Sequence, residues 1–234
     1  MNLSKRLVLN GAEVNPSVAR VHLGLNEVGY AEFQVPVPPG AAKGMLAEYF
    51  LGIGGGTNYM VLVGPVVAVI PARDSLTVRV RELSAVLDFP HMFYLRNQTA
   101  REVIAAIERK TGLRFILPVG ASYLDERRHL FQSQGTCRDA LDRMAGAWDI
   151  PSAVWTQLPD GMMYWGHWQA GPFTKTTVPI DPRLVVEHDR ERKKIRLPAI
   201  PALRPGMVVT CEFRFRIDRM EFDGDNVLLF YTQV

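Results

Sequence analysis

Hydrophobic residues recur at every second position through much of the first third of the chain. Leu7 and Leu9, then Ala19, Val21 and Leu23, alternate with polar neighbours, and Arg20 and His22 supply the polar face of the second run. A period of two marks a half-buried strand. Tyr30–Val37 alternates less cleanly and is broken by Pro38-Pro39-Gly40, while Lys43–Phe50 fits helix or strand equally. Met60–Val69 and Ser75–Arg81 predict a hairpin across Pro71-Ala72-Arg73-Asp74. In its second arm Leu76, Val78 and Val80 face inward, and Thr77, Arg79 and Arg81 face outward. Several short strands with turn residues between them predict a small barrel or sandwich over residues 1–92.

The period then lengthens to that of a helix. In Asn97–Phe115, Val103, Ile104 and Ile107 form an apolar stripe opposite Arg101, Glu102, Glu108 and Arg109. Thr99 and Glu102 have capping-box spacing, Lys110 suits the negative end of the helix dipole, and Gly112 can close the helix. Leu113–Leu117 reads as a strand leaving the helix, and Ser122–Gln134, with Asp-Glu-Arg-Arg-His at its centre, reads as a surface loop. A second helix starts with Thr136 as N-cap and Asp139 in its first turn, and Ala140, Leu141, Met144, Ala145 and Trp148 repeat at helical spacing. Ser152–Gln157 and Met162–Trp168 flank the turn Leu158-Pro159-Asp160-Gly161, giving a hairpin rich in aromatics: Trp155, Tyr164, Trp165 and Trp168. This α/β unit spans residues 93–170.

Residues 171–234 return to β. Val178–Pro182 is extended by its prolines, Leu197–Pro205 is proline-punctuated, and Met207–Arg214 alternates in part. Ile217–Phe222 and Val227–Tyr231 flank the hairpin turn Asp223-Gly224-Asp225-Asn226. The predicted fold class is mixed β with inserted α+β.

Composition narrows the function classes. The 234 residues are 47% hydrophobic and 22% charged, which suits a packed globular chain. A net charge of +3 is too mild to argue for nucleic acid. Cys137 and Cys211 lie far apart, so neither a disulfide framework nor metal-ligand spacing is present. Met1–Gly11 lacks the apolar core of a signal peptide, and no run reaches the roughly 18 apolar residues of a membrane helix. The expectation is a soluble protein made in the cytoplasm. The longest apolar stretch, Tyr59–Ala72, carries two prolines and a glycine and reads as a bent strand or strand pair.

Candidate chemistry is sparse. Gly52-x-Gly54-x-Gly56 resembles a phosphate loop only superficially, because a strand follows it where a helix N-terminus is needed. No Gly-x-Ser-x-Gly, His-Glu-x-x-His or Cys-x-x-Cys occurs. The five histidines, His22, His91, His129, His167 and His188, include no i, i+4 pair. Cys137 and His167 are a conceivable nucleophile and base, but a place in the first turn of an amphipathic helix favours packing. Spacing alone identifies no carboxylate pair for glycoside hydrolysis. Asp189–Arg196 holds five basic and two acidic residues, suited to a phosphate backbone, an acidic protein or simply solvent. The aromatic hairpin suits stacking on bases or sugars, or ordinary cross-strand packing. No residue is expected to be catalytic, cofactor-binding or metal-ligating.

The order of segments is more specific than any residue. VRVRELSAVLD, TAREVIAAIERKTGLRF, QGTCRDALDRMAGAWD, LPDGMMYWG and LRPGMVV before a closing hairpin resemble, over roughly residues 60–234, the late-control or baseplate hub family of tailed phages. That family is related to the hub part of type VI secretion spikes. The resemblance implies two small β-barrel-like domains, residues 1–92 and 171–234, flanking the α/β domain at 93–170. Leu76–Arg81 would end the first barrel, and Leu203-Arg204-Pro205-Gly206 would open the last strands of the second. It also implies a non-enzymatic virion protein, a homotrimeric ring with a lumen, which leaves DNA passage without specific binding open. Its partners would be the tail tube or distal tail protein, the tape measure protein and a central spike or fibre. The chain is shorter than many hub proteins, so a domain or spike-attachment extension is expected to be missing. Two other classes stay open: a tail-borne peptidoglycan-degrading enzyme, and a carbohydrate-binding module built on Trp155, Tyr164, Trp165 and Trp168.

Overall fold

The computed structural model describes residues 3–36, 41–54 and 56–234. Seven strands come first: β1 (Leu3–Leu9), β2 (Ala12–Val14), β3 (Val18–Gly24), β4 (Tyr30–Pro36), β5 (Leu46–Ile53), β6 (Asn58–Pro71) and β7 (Ser75–Arg81). The α/β insert follows with β8 (Phe93–Thr99), α1 (Ala100–Thr111), β9 (Phe115–Ile116), β10 (Arg127–Ser133), α2 (Cys137–Ala147), β11 (Ala153–Gln157) and β12 (Met163–His167). The chain ends in β13 (Thr177–Pro179), β14 (Glu187–Asp189), β15 (Lys194–Pro198), β16 (Val208–Thr210), β17 (Arg214–Asp223) and β18 (Asn226–Gln233). The protein is mostly β, 50% strand and 17% helix.

Thirteen strands from the two ends of the chain form one large, mainly antiparallel sheet in the order β14-β15-β18-β17-β3-β4-β7-β6-β5-β1-β2, with β16 on β17 and β13 on β16. The path is open, and no closed barrel is found among the described residues. β3 joins β17 from Gly24 opposite Arg219 to Arg20 opposite Asp223. One continuous core therefore gathers Val21, Phe33, Tyr49 and Val80 from the first strands with Leu197, Phe215, Met220 and Leu229 from the last.

The two helices follow from their caps. In α1 the Thr99 N–H donates to Glu102 Oε2 (2.8 Å), the Glu102 N–H donates to Thr99 Oγ1 (3.2 Å), and Gly112 closes the helix at φ +75°. In α2, Thr136 and Asp139 form a second capping box. The apolar faces of both helices pack in a separate core with Leu87, Phe93, Phe131, Trp155 and Trp165.

Several expectations change. Within Lys43–Phe50 a turn at Lys43–Gly44 leads into strand from Leu46, with Ala47, Tyr49 and Leu51 buried at alternate positions of β5. Ser122–Gln134 is not a loop. After a short 3-10 turn its charged residues form β10, which pairs with β8, a strand whose signal is equally weak. A two-stranded ribbon buries one face only, so Phe131 and Ser133 turn inward while Arg127, His129, Leu130 and Gln132 stay exposed. The strand after α1 shrinks to Phe115–Ile116. The predicted break at Pro38–Gly40 lies outside the described residues.

β6 is the bent strand that Tyr59–Ala72 predicts. Its first half pairs with β5 as far as Pro65, and from Val66 onward it pairs with β7. Gly64 sits at this change of partner, where an added Cβ would lie 1.8 Å from the carbonyl oxygen of Arg81. Backbone cannot yield as a side-chain tip can, so Gly64→Ala is expected to destabilise the fold by about 3 kcal/mol or more. Thermal unfolding should show Tm falling by roughly 6 °C or more. A variant melting with the wild type would place the bend elsewhere.

Candidate functional site

The sequence-derived candidates disperse. Gly52 ends up in β5 opposite Asn58 of β6, and the Gly56 N–H donates to the Ile53 carbonyl (3.0 Å). This is a hairpin connection with no helix after it, and its Gly55 lies outside the described residues. Cys137 is buried in the insert core, and burial pushes its thiol above the usual range. A thiol so placed is inert, which removes the pairing with His167 as a nucleophile. His22 lies half-buried between carboxylates, with Nε2 3.1 Å from Glu27 and Nδ1 3.5 Å from Glu221. His188 contacts the Tyr231 hydroxyl (3.0 Å) and stacks on Phe213. No group of three or more His, Cys, Asp or Glu able to hold a metal ion occurs among the described residues. Among the described residues no helix is long and apolar enough to cross a membrane.

The aromatic hairpin is core. Trp155, Tyr164, Trp165 and Trp168 are all buried. Their polar atoms are engaged internally: Trp165 Nε1 donates to the Leu141 carbonyl (3.3 Å), Trp168 Nε1 to the Gly206 carbonyl (2.8 Å) and the Tyr164 hydroxyl to the His167 carbonyl (2.7 Å). No ring is left for a glycan, which corrects the carbohydrate-module reading. The Asp189–Arg196 run forms the turn and flanks of the β14–β15 hairpin, where Lys194 and Arg196 reach Glu187 (3.5 and 3.4 Å) and Arg190 reaches Glu212 (3.7 Å). Such exposed pairs contribute about 0–1 kcal/mol each.

What the fold brings together instead is a polar junction where the insert meets segments from both ends of the chain. Glu82 is buried, and its Oε2 accepts from the Gly29 N–H (2.8 Å) and the Ser84 hydroxyl (3.2 Å). Gln157, at the end of β11, accepts from the Ser84 N–H (2.9 Å) and donates to the Val63 carbonyl (2.8 Å). Arg204 donates to the carbonyls of Pro201 (2.8 Å), Leu203 (2.5 Å) and Met60. Asn26 and Trp155 exchange two bonds, Asn26 N–H to the Trp155 carbonyl and Trp155 N–H to Asn26 Oδ1, each 2.8 Å. Beside Arg204 lies a largely apolar hollow of about 320 Å³, lined by Leu158, Phe173 and Met207 among others.

The sequence carried a signal for Glu82. It continues the inward parity of Leu76, Val78 and Val80, one step past the end of β7. Burial, above all, pushes its carboxyl up to about 7, with Glu27 adding to the rise while the Gly29 amide, Ser84 and Arg204 oppose it. Burial lowers the Arg204 guanidinium to about 10, so it stays charged at neutral pH.

No family model matches the chain. An uncharacterized 58.7 kDa protein of Haemophilus phage HP1 is 25% identical over 150 residues, 64% of this chain and 27% of that protein. The chain thus matches only a part of its relative's length. Among solved structures, the 43 kDa tail protein of prophage MuSo2 from Shewanella oneidensis superposes with a TM-score of 0.74 at 13% identity, covering 98% of this chain and 97% of that one. A tail protein from Neisseria meningitidis gives 0.71 at 11% identity, covering 100% and 97%. An E. coli component of the type VI secretion system, described as structurally similar to bacteriophage T4 tail proteins, gives 0.67 at 12%, covering 97% and 76%. The chain has the fold of these phage tail and type VI secretion system proteins.

Between about pH 4.5, the ordinary carboxyl value, and pH 7 the folded chain holds a proton on Glu82 that the unfolded chain has released. The stability this contributes is complete below pH 4.5 and is lost as pH rises to 7, by up to about 3 kcal/mol. Glu82→Gln keeps the acceptor and removes the titration. Urea unfolding should show the variant gaining on wild type by that amount from pH 5 to pH 8, and parallel pH profiles would show Glu82 to be solvated.

Proposed function

We propose that this chain is a structural protein of a phage tail, a tail-tip or baseplate-hub component that acts by assembly. The observation that carries the reading is the fold match over nearly the whole of both chains, 98% of this one and 97% of the prophage tail protein. A shared fold alone does not specify function. The geometry adds support: the junction polar groups face one another, while among the described residues the large sheet ends in three short edge strands, β2, β13 and β14. Sheet edges are natural places for pairing between chains.

In this reading residues 1–92 and 171–234 are the two barrel-like bodies of a hub, and residues 93–170 decorate it. Copies close a homotrimeric ring between the tail tube or distal tail protein and a central spike or fibre, with the tape measure protein as a further neighbour. The protein resides in the virion tail and has no catalytic role. A tail-borne peptidoglycan hydrolase would need a carboxylate pair or Cys/His pair in a cleft, and burial of Cys137 removes the one such pair the sequence offered.

The mass of the purified protein should be that of three chains of 26.3 kDa by native mass spectrometry, and density for it should lie at the tip of purified tails. A stable monomer at about 100 μM that is also absent from purified virions would overturn the proposal. Release of soluble fragments from peptidoglycan would overturn the non-enzymatic part.

A further inference from the structure

The insert contains a strand with one open edge. β8 pairs with β10 and with no other strand among the described residues. The His91 N–H donates to the Gly135 carbonyl (2.5 Å), and in the same register Phe93 stands opposite Ser133 and Leu95 opposite Phe131. Hydrogen-bonded positions alternate along an antiparallel ladder. The peptide groups of Phe93 and Leu95 therefore face β10, and those of Met92 and Tyr94 face the other way.

On that open side lies a groove of about 420 Å³ between β8 and α1, lined by His91, Met92, Tyr94, Ala106, Arg109 and Lys110 among others. Its rim is apolar and exposed, Met92 at 67% and Tyr94 at 55%. Its charge is one-sided. No acidic residue lines it, Arg109 donates its Nε–H to the carbonyl of Ala105 (3.3 Å), and Arg96 lies over the Tyr94 ring (5.5 Å). Neither Arg109 nor Lys110 is ion-paired among the described residues.

We propose that the β8 edge is a docking site for an extended acidic segment of a partner protein, which adds as a third strand to the β10–β8 ribbon. Main-chain bonds to Met92 and Tyr94 supply the register, and carboxylates of the segment meet Arg109 and Lys110. Strand addition beside a helix takes affinity from the backbone and selectivity from alternate side chains. Natural sheet edges are normally shielded by prolines, bulges or a covering element. β8 has a single irregular residue, Asn97 at φ +52°, beyond the groove, so the edge from Met92 to Tyr94 stays straight. The inference rests on the insert alone and does not depend on ring formation.

The test uses a fluorescent peptide of alternating valine and glutamate and its valine–lysine counterpart, read by anisotropy at low salt with the full chain. The acidic peptide is expected to bind and the basic one not, and N-methylation of alternate peptide amides should abolish binding. Tyr94→Pro removes an outward N–H while leaving the β10 ladder intact. It should weaken binding at least roughly tenfold with an unchanged melting curve. Arg109→Glu with Lys110→Glu should reverse the preference toward the basic peptide, and it keeps the test alive should Tyr94→Pro fail to fold. Equal affinity in Tyr94→Pro, or no binding to wild type up to about 1 mM, would sink the proposal. Sedimentation showing a wild-type oligomer that Tyr94→Pro dissolves would assign the edge to a second copy and overturn it as well.

Discussion

The pairing of β3 with β17 is the constraint on which the rest of the structure depends. It joins strands from opposite ends of the chain across five residue pairs, Gly24–Arg219 to Arg20–Asp223. β17 gives one whole edge to β18 and divides the other, with β16 along Arg214–Arg216 and β3 along Arg219–Asp223. The division falls at a register shift between Ile217 and Arg219, where the Asp218 carbonyl turns to accept from the Leu25 N–H (2.9 Å). A bulge of this kind re-aims a strand. Without the pairing, both β units would expose unpaired edges and a severed core.

The junction fixes the insert to that sheet. Gln157 and Asn26 bond between the insert and the N-terminal unit, Arg204 reaches Met60 from the C-terminal unit, and Glu82 holds Ser84, which donates to Gln157; an unmet polar group in this low-dielectric setting would cost about 1–3 kcal/mol. Such bonds are directional, so they set the orientation of the insert in a way that apolar packing alone does not. The aromatic hairpin completes the attachment because it separates two cores. Trp155, Met163 and Trp165 face the helices, and Val154, Tyr164 and Trp168 face Phe173 and Val208 of the C-terminal unit.

Much of this was legible locally. Period-two runs located β1, β3 and β7, a proline-bounded stretch located β4 and a long apolar run located β6, while capping-box spacing located the start of α1 and an N-cap threonine that of α2. The turn at Asp223–Asn226 located the last hairpin, where Gly224 takes φ +63°. The ribbon escaped notice because β8 and β10 bury a single face and fill the other with Arg, Gln and His. The aromatic hairpin was ambiguous because a strand buried on both faces loses its alternation, so a binding platform stayed open beside ordinary cross-strand packing for β11 and β12.

Inward parity through Glu82, the caps of α1 and α2 and the β, α/β, β order were determined by the sequence itself, since each depends on residues a few positions apart. Only the tertiary structure decided that β3 meets β17, that four aromatics are core and that, among the described residues, the sheet stays open and the β8 edge is free. The physical reason is that strands choose partners by burying whole faces and satisfying whole edges, and those faces and edges are assembled from residues far apart in the chain.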